Sequence, residues 1–178
     1  MTPDELKALV RTVPDFPRPG IMFRDITSLI ADGDGLAAAI DMLALRAREA
    51  GAAMIAGMEA RGFIFGAAVA ARLGVGFLPV RKRGKLPVTT IGIDYALEYG
   101  TDRLEIDPSL VKDGQRILLL DDLIATGGTA IAAAQLLRQA GGLVESALFV
   151  IDLPDLGGAD RLRSDGIEVD TLIRFEGH

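Results

Sequence analysis

The residues best suited to chemistry lie in one stretch, ILLLDDLIATGGTA, which runs from Ile117 to Ala130. Four aliphatic residues precede the adjacent carboxylates Asp121 and Asp122, and the sequence Thr126-Gly127-Gly128-Thr129 follows. Glycines let backbone N–H groups approach a ligand, and the N-terminus of a following helix favours an anion. Carboxylates accept hydrogen bonds from both hydroxyls of a vicinal diol. A phosphate and a diol at this separation fit a ribose 5-phosphate.

The same stretch has a second interpretation. An acidic pair after a strand also occurs as a helix cap plus a metal site in phospho-acceptor receiver domains, and Thr-Gly-Gly-Thr is also a tight turn. The stretch is not a Walker A loop, because no Gly-Lys-Ser/Thr follows, and it is not G-x-G-x-x-G. The ribose-phosphate site is favoured, and the alternative stays open on this stretch alone.

Two further polar stretches follow predicted strands. The first is a cluster of four cations within five residues: Arg81, Lys82, Arg83 and Lys85. The second, GMEARGF, spans residues 57–63 and offers backbone amides and Arg61, whose planar fork suits phosphate oxygens. The alternatives are a solvated basic turn for the first stretch and an ordinary helix start, with Glu59 well placed near its N-terminus, for the second.

The remaining sequence must position these stretches, and its pattern predicts strands alternating with helices. Predicted strands cover residues 53–57, 75–80, 116–121, 144–152 and 169–175. Predicted helices cover residues 4–11, 36–50, 63–73, 129–140 and 156–164. Residues 13–25, rich in proline and glycine, are predicted to form an ordered loop, and residues 82–100 a loop or a hairpin.

This alternation predicts an α/β fold with a central parallel sheet of about five strands flanked by helices. The strands are nearly all aliphatic, as expected when helices cover both faces. Ligands of such sheets bind beyond the carboxyl ends of the strands. The three polar stretches all follow strands, so we expect them at one edge of the sheet.

Composition excludes several classes of function. The chain of 178 residues has no cysteine, which excludes disulfides, thiol catalysis and thiolate metal sites, and its one histidine is His178. A net charge of −6 argues against nucleic-acid binding. No apolar run approaches the roughly 18 residues of a membrane span, and the N-terminus lacks the pattern of a secretory signal. We expect a cytoplasmic protein that binds neither nucleic acid nor membrane.

The stretch LLLDDLIATGGTA resembles the phosphoribosyl-diphosphate (PRPP) binding motif of type I phosphoribosyltransferases. Four other stretches narrow the resemblance to the adenine-specific members: DFPRPGIMFRDIT, EARGFIFG, VRKRGKLP and YALEYGTDRLEI. They look like that family's purine-base loop, pyrophosphate loop, basic loop and mobile catalytic loop, in the same order. The resemblance covers nearly the whole chain, and Arg83 stands where the family often carries proline.

The resemblance implies a reaction and a fold. Adenine and PRPP would give AMP and pyrophosphate, as in purine salvage. The fold would be the type I phosphoribosyltransferase fold as a single domain over residues 1–178, in which residues 1–35 form an arm and a hood over the base and residues 36–178 form the core with a flexible catalytic loop. Mg²⁺ would be held through PRPP and water, with no certain direct protein ligand, and the chain would form a homodimer.

The resemblance also assigns residues to PRPP. Asp121 and Asp122 would bind the ribose hydroxyls, although one of them could instead orient a metal-bound water or stabilise positive charge on the ribose. The residues for the 5-phosphate would be Ala125, Thr126, Gly127, Gly128 and Thr129. The residues for the pyrophosphate would be Glu59, Ala60, Arg61, Arg81, Lys82 and Lys85, and an irregular peptide bond is expected near Glu59 and Ala60.

The resemblance implies that one further loop binds adenine and that another removes its proton. Backbone groups of Met22 and Arg24 would read the edge of adenine, and Phe23 would stack on its face, although Phe23 alone could equally anchor the loop to the core. Glu98 would act as the general acid or base and Tyr99 would cover the reaction centre, with Arg61 as a third catalytic residue. Without the resemblance, Glu98 is a surface glutamate.

Two other functions compete with this hypothesis. The same fold serves as a purine or PRPP sensor in some transcriptional regulators, but such a regulator needs a DNA-binding element, and no basic helix or extra domain is present in the sequence. Phosphoribosyltransferases for hypoxanthine, guanine or xanthine share the phosphate motif and differ in the base-recognition segments. The short stretches DFPRPGIMFRD and LEYG favour adenine.

Overall fold

The computed structural model describes residues 1–97 and 99–177. The strands are β1 (Arg11–Pro14), β2 (Met22–Asp25), β3 (Met54–Met58), β4 (Gly76–Lys82), β5 (Ile91–Ala96), β6 (Thr101–Ile106), β7 (Arg116–Ile124), β8 (Leu143–Asp152) and β9 (Glu168–Arg174). The α-helices are α1 (Pro3–Leu9), α2 (Thr27–Ala31), α3 (Gly33–Glu49), α4 (Arg61–Leu73), α5 (Gly128–Gln139) and α6 (Gly158–Ser164). Among the described residues, no helix has both the length and the apolar character needed to cross a membrane.

A seven-stranded sheet forms the centre of the fold, in the order β5-β6-β4-β3-β7-β8-β9. The five strands from β4 to β9 in this order pair in parallel, which confirms the predicted parallel sheet of about five strands. Strands β5 and β6 form an antiparallel hairpin, and β6 pairs antiparallel with β4. This hairpin overlaps residues 82–100, for which the sequence allowed a loop or a hairpin, and its second strand continues to Ile106.

The central strands are aliphatic because helices cover both faces of the sheet. In β7, Leu118 and Leu120 pack with residues of α3 and α4, whereas Ile117 and Leu119 pack with residues of α5 and α6. Successive side chains of a strand point to opposite faces, so a strand covered on both sides carries an unbroken apolar run. The same run brings its carboxyl end, and the acidic pair, to the edge of the sheet.

Two sequence predictions are wrong in detail, and one short helix was not predicted. The predicted loop at residues 13–25 contains β2 and the end of β1, which pair antiparallel, because Pro17, Pro19 and Gly20 lie in the turn between two short strands. Helix α2 was not predicted, since it has only five residues. Strand β7 continues to Ile124 and does not end at Asp121, so both Asp121 and Asp122 lie inside the strand.

Candidate active site

The carboxyl ends of β3, β4 and β7 meet at a cavity of about 260 Å³. Its lining includes many residues that the sequence predicted for PRPP: Glu59, Arg61, Lys82, Asp121, Asp122, Ala125, Thr126, Gly127, Gly128 and Thr129. Ala60, Arg81 and Lys85 do not line it. We call this space the phosphate cavity. Parallel strands bring these distant segments together because their carboxyl ends share one edge.

The acidic pair has two different environments. Asp122 is 5% exposed and accepts a hydrogen bond of 2.5 Å from Nε of Arg61, the first residue of α4. This bond raises the pKa of the Arg61 guanidinium, which therefore stays charged. Asp121 accepts a hydrogen bond of 2.8 Å from the backbone N–H of Asp122. Burial raises the pKa of the Asp121 carboxyl well above its usual value, and the negative charge of Asp122 is the second cause.

The raised pKa of Asp121 means that its charge opposes folding. Because the folded-state pKa lies above the unfolded value, the penalty is absent at low pH and is complete at pH values above the folded-state pKa. We expect Asp121→Asn to raise the melting temperature by about 2–4 °C near pH 8, which is the effect of about 1 kcal/mol in a chain of this size. Calorimetry at about pH 8 and at about pH 4, near the unfolded-state pKa of aspartate, measures it, and a gain that fails to shrink at the lower pH contradicts this account.

Residues 125–129, which we call the phosphate loop, comprise the turn after β7 and the first two residues of α5, which begins at Gly128. Gly127 has a left-handed backbone with φ of 85°, and a Cβ there would lie 2.9 Å from backbone atoms of Gly158. The Gly158 N–H donates to the carbonyl of Ala125 at 2.9 Å, and Arg161 donates to the carbonyl of Thr126 at 2.8 Å. The start of α6 therefore holds this loop, so that the unsatisfied N–H groups at the start of α5 suit an anion.

Gly158 and Arg161 were not predicted from the sequence. Gly158 contacts the loop through its backbone N–H, and Arg161 contacts it through its guanidinium. Both donate to backbone carbonyls of a distant segment, and such contacts leave no pattern of residue types.

The pyrophosphate loop contains the irregular peptide bond that was expected, since the bond between Glu59 and Ala60 is cis. One carboxylate oxygen of Glu59 accepts hydrogen bonds from the backbone N–H of Lys82 at 2.7 Å and from Nε of Arg81 at 3.3 Å. Glu59 thus joins this loop to the basic cluster. Gly62 allows α4 to pack closely on β7, because a Cβ there would lie 2.8 Å from Oδ1 of Asp121.

Three of the four cations in the basic cluster are paired with carboxylates. Arg81 pairs with Glu59, Arg83 lies 3.7 Å from Asp94, and Lys82 binds Asp102. Lys82 Nζ also lies 3.0 Å from the hydroxyl oxygen of Tyr95. The hydrogen bond from Lys82 lowers the pKa of the Asp102 carboxyl. The β5–β6 hairpin, which carries Tyr95 and Asp102, was not predicted to neutralise this cluster.

A second cavity of about 690 Å³ adjoins the phosphate cavity, and we call it the base cavity. Strand β2 contributes Met22, Phe23 and Arg24, the three residues predicted for adenine. Phe23 packs edge to face on Phe16 at 5.1 Å between ring centroids. The opposite wall contains Leu123, Leu153 and Leu156, which were not predicted because apolar residues near strand ends resemble ordinary core. The two cavities share four residues: Arg61, Asp122, Leu123 and Thr126.

The loop that the sequence predicts to be catalytic connects β5 and β6. Glu98 lies outside the described residues, so the prediction for it is not tested. Tyr99 is 77% exposed, its ring centroid lies 5.9 Å from the guanidinium of Arg18, and it lines neither cavity.

Comparison with known proteins identifies the family. Residues 25–175 match the family model described as the phosphoribosyl transferase domain. An adenine phosphoribosyltransferase of Novosphingobium aromaticivorans is 71% identical over 178 residues, which cover 100% of both chains. The chain belongs to the adenine phosphoribosyltransferase family. It is therefore an enzyme with the type I phosphoribosyltransferase fold.

Solved structures of this family have the same fold. The adenine phosphoribosyltransferase of Thermoanaerobacter pseudethanolicus superimposes with a TM-score of 0.91 at 48% identity, covering 98% of this chain and 100% of that one. The Saccharomyces cerevisiae enzyme, complexed with an imino-altritol bisphosphate and adenine, gives a TM-score of 0.90 at 38% identity. That match covers 96% of this chain and 97% of the yeast chain.

Proposed function

We propose that the two adjoining cavities are the site of phosphoribosyl transfer. As a member of the adenine phosphoribosyltransferase family, the chain transfers the 5-phosphoribosyl group from PRPP to adenine, giving AMP and pyrophosphate. The observation that carries the site assignment is the junction of the two cavities at Arg61, Asp122, Leu123 and Thr126. AMP has a base at one end and a phosphate at the other, so a site that makes it needs two cavities that meet.

PRPP occupies the phosphate cavity in this proposal. The 5-phosphate binds the loop from Ala125 to Thr129, where backbone N–H groups and two threonine hydroxyls converge at the start of α5. The ribose hydroxyls donate to Asp121 and Asp122. Pyrophosphate lies toward Arg61 and Lys82, with Glu59 and Ala60 forming the loop and Arg81 and Lys85 supplying further positive charge to the basic cluster.

Adenine occupies the base cavity. Met22 and Arg24 present backbone groups to its edge, while Phe23 and the leucines of the opposite wall enclose its faces. The Arg24 guanidinium itself binds Thr12 Oγ1 and the carbonyl of Gly177, so its side chain is engaged elsewhere. The adenine bound in the yeast relative supports this choice of base.

The reaction joins an adenine nitrogen to the anomeric carbon of the ribose as the bond from that carbon to the pyrophosphate oxygen breaks. Positive charge develops on the ribose in such a transition state. The carboxylates of Asp121 and Asp122 stabilise that charge, and Arg61 and Lys82 stabilise the departing anion. Glu98 takes the proton that adenine loses, and Tyr99 covers the site when the loop closes.

The residues of this site fit a Mg²⁺ ion that binds together with PRPP. Within residues 1–97 and 99–177, no group of three or more acidic, histidine or cysteine side chains is placed to hold a metal ion. Mg²⁺ keeps several waters and is often bound through substrate phosphates and one or two carboxylates, so Asp121 and Asp122 would contact it directly or through water. When bound, it would neutralise charge on the pyrophosphate.

PRPP is therefore expected to bind as its magnesium complex. Calorimetric titration of PRPP into the protein should give an affinity about tenfold higher with excess Mg²⁺ than with EDTA, since the metal screens the substrate from the acidic pair. Equal affinities under both conditions would exclude a role for the metal in binding.

Two substitutions test the assignment of the cavities separately. Thr129→Val removes one hydroxyl donor and should raise the KM for PRPP about tenfold, the effect of one hydrogen bond to a charged group. Phe23→Leu keeps the apolar contact, loses the aromatic face, and should raise the KM for adenine about fivefold. Steady-state kinetics measure both. Each variant should leave the KM for the other substrate within about twofold, and a reversed or shared effect contradicts the assignment.

The same proposal covers the domain organisation, the location and the oligomeric state of the protein. Residues 1–35 provide the hood and residues 36–178 the core of one domain. The protein acts in the cytoplasm as a homodimer. Sedimentation equilibrium distinguishes the dimer from a monomer of 18.8 kDa.

A further inference from the structure

The segment from Phe175 to Gly177 follows β9 and contacts one wall of the base cavity and the turn that carries residues of another. On one side, Nη2 of Arg24, a residue of β2, donates a hydrogen bond of 3.0 Å to the carbonyl of Gly177. On the other side, the N–H of Gly177 donates a hydrogen bond of 2.7 Å to Oδ2 of Asp155. Gly177 is therefore bonded, through its two backbone polar groups, to a residue of one wall and to a neighbour of the leucines of the other wall.

Both partners of Gly177 belong to elements that line the base cavity. Arg24 lies between Phe23 and Asp25, and all three line the cavity. Asp155 lies in the turn Pro154–Leu156, whose neighbours Leu153 and Leu156 form the opposite wall. The positions of these two walls relative to each other set the width available to a flat aromatic ligand.

The start of the segment is fixed firmly to the core. Phe175 is buried, and its N–H donates to the carbonyl of Asp152 at 3.0 Å. Two cations lie near its ring, with the Arg24 guanidinium at 4.5 Å and Lys7 Nζ at 4.9 Å from the centroid. Cations near an aromatic ring at such distances are attracted to it. Arg24 is further held by a hydrogen bond of 2.6 Å to Thr12 Oγ1 in β1.

We propose that the segment Phe175–Gly177 sets the spacing of the two walls of the base cavity, and that Asp155 is a positioning residue for adenine. Asp155 does not line the cavity, so it acts through Gly177 and Leu156 and not by touching the base. The proposal rests on the proposed function, because it concerns the width of the site for adenine. It implies that an exposed carboxylate outside the cavity affects the KM for adenine and leaves the KM for PRPP unchanged.

The test uses two substitutions of Asp155 and one matched control. Asp155→Ala removes the acceptor and should raise the KM for adenine about fivefold, the effect of losing one hydrogen bond that holds a wall in place. The kcat and the KM for PRPP should stay within about twofold of the parent protein. Asp155→Asn retains an oxygen acceptor and should restore the KM for adenine to near the parent value. Asp160→Ala removes another exposed aspartate, which pairs with Arg163 on α6, and should change none of these constants.

Each outcome decides the proposal. An unchanged KM for adenine in Asp155→Ala overturns it, as does an equal loss in kcat and both KM values, which a merely structural role would produce. A defect in Asp155→Asn equal to that in Asp155→Ala also overturns it, because charge and not the hydrogen bond would then matter. Phe175→Leu, which keeps an apolar side chain but loses the ring, should raise the KM for adenine in the same way. Failure of the parent protein to use adenine would instead refute the proposed function.

Discussion

Replacement of Asp122 by alanine should lower kcat/KM for PRPP roughly 100- to 1000-fold. Asp122 is nearly fully buried, lines both cavities and holds Arg61 by a direct hydrogen bond. The substitution removes a carboxylate that faces the developing charge on the ribose and frees the guanidinium that faces the pyrophosphate. Removing one group that stabilises charge in the transition state typically costs about 2.7–4 kcal/mol, which corresponds to this range of rates.

The loss should appear in catalysis more than in stability. The Arg61 side chain is more than half exposed, so water screens the ion pair and the free energy of unfolding should change by no more than about 1 kcal/mol. Asp152→Asn is a matched control, because Asp152 is a buried carboxylate on the neighbouring strand β8 that pairs with Arg174 and lines neither cavity. A kcat/KM for Asp122→Ala within threefold of the parent, or a comparable loss in the control, would argue against this role.

The second large effect is expected for Gly127→Ala. The left-handed backbone at Gly127 disfavours any residue with a Cβ, and the added atom would lie 2.9 Å from the backbone of Gly158. Backbone atoms cannot move aside as a side chain can, so the phosphate loop must shift. We expect the KM for PRPP to rise roughly 10- to 100-fold and the melting temperature to fall by about 5–10 °C, the effect of about 2–3 kcal/mol.

Gly166→Ala separates backbone strain from the loss of the phosphate site. Gly166 has a similar φ of 80°, but no atom lies within 4 Å of an added Cβ and the residue lines neither active-site cavity. This variant should lose some thermal stability while keeping the KM for PRPP. If Gly127→Ala changes the melting temperature alone, the loop does not hold the 5-phosphate.

The sequence predicts best the part of the site whose residues are contiguous in the chain. In β7 and the start of α5, the apolar run, the acids and the glycines all lie within fourteen residues from Ile117 to Ala130, and each has a local physical meaning. The parallel sheet was predictable for the same reason, since strands covered on both faces are aliphatic throughout. The prediction that β7 ends at Asp121 is wrong because pairing with β8 continues to Ile124.

The remainder of the site depends on contacts between distant residues. Arg61 and Asp122 form a pair across two segments, and neither segment shows from its own residues that the other is near. From the sequence, the cations of the basic cluster are expected to be unpaired. In the structure, Asp94 and Asp102 on the β5–β6 hairpin pair with two of them. The far wall of the base cavity comes from Leu153 and Leu156, which are indistinguishable in sequence from residues of the core.

The measurement that tests the central claim most directly is pyrophosphate release from PRPP and Mg²⁺ with adenine, hypoxanthine, guanine and xanthine in parallel. The account predicts turnover with adenine at a kcat/KM at least about 100-fold above that of every other base, since a site that pairs with one edge rejects bases with different donors and acceptors. Preference for another base would contradict the assignment of the Met22–Arg24 strand to adenine while leaving the PRPP site intact. Binding of PRPP without turnover of any base would contradict the proposed reaction and indicate a sensor.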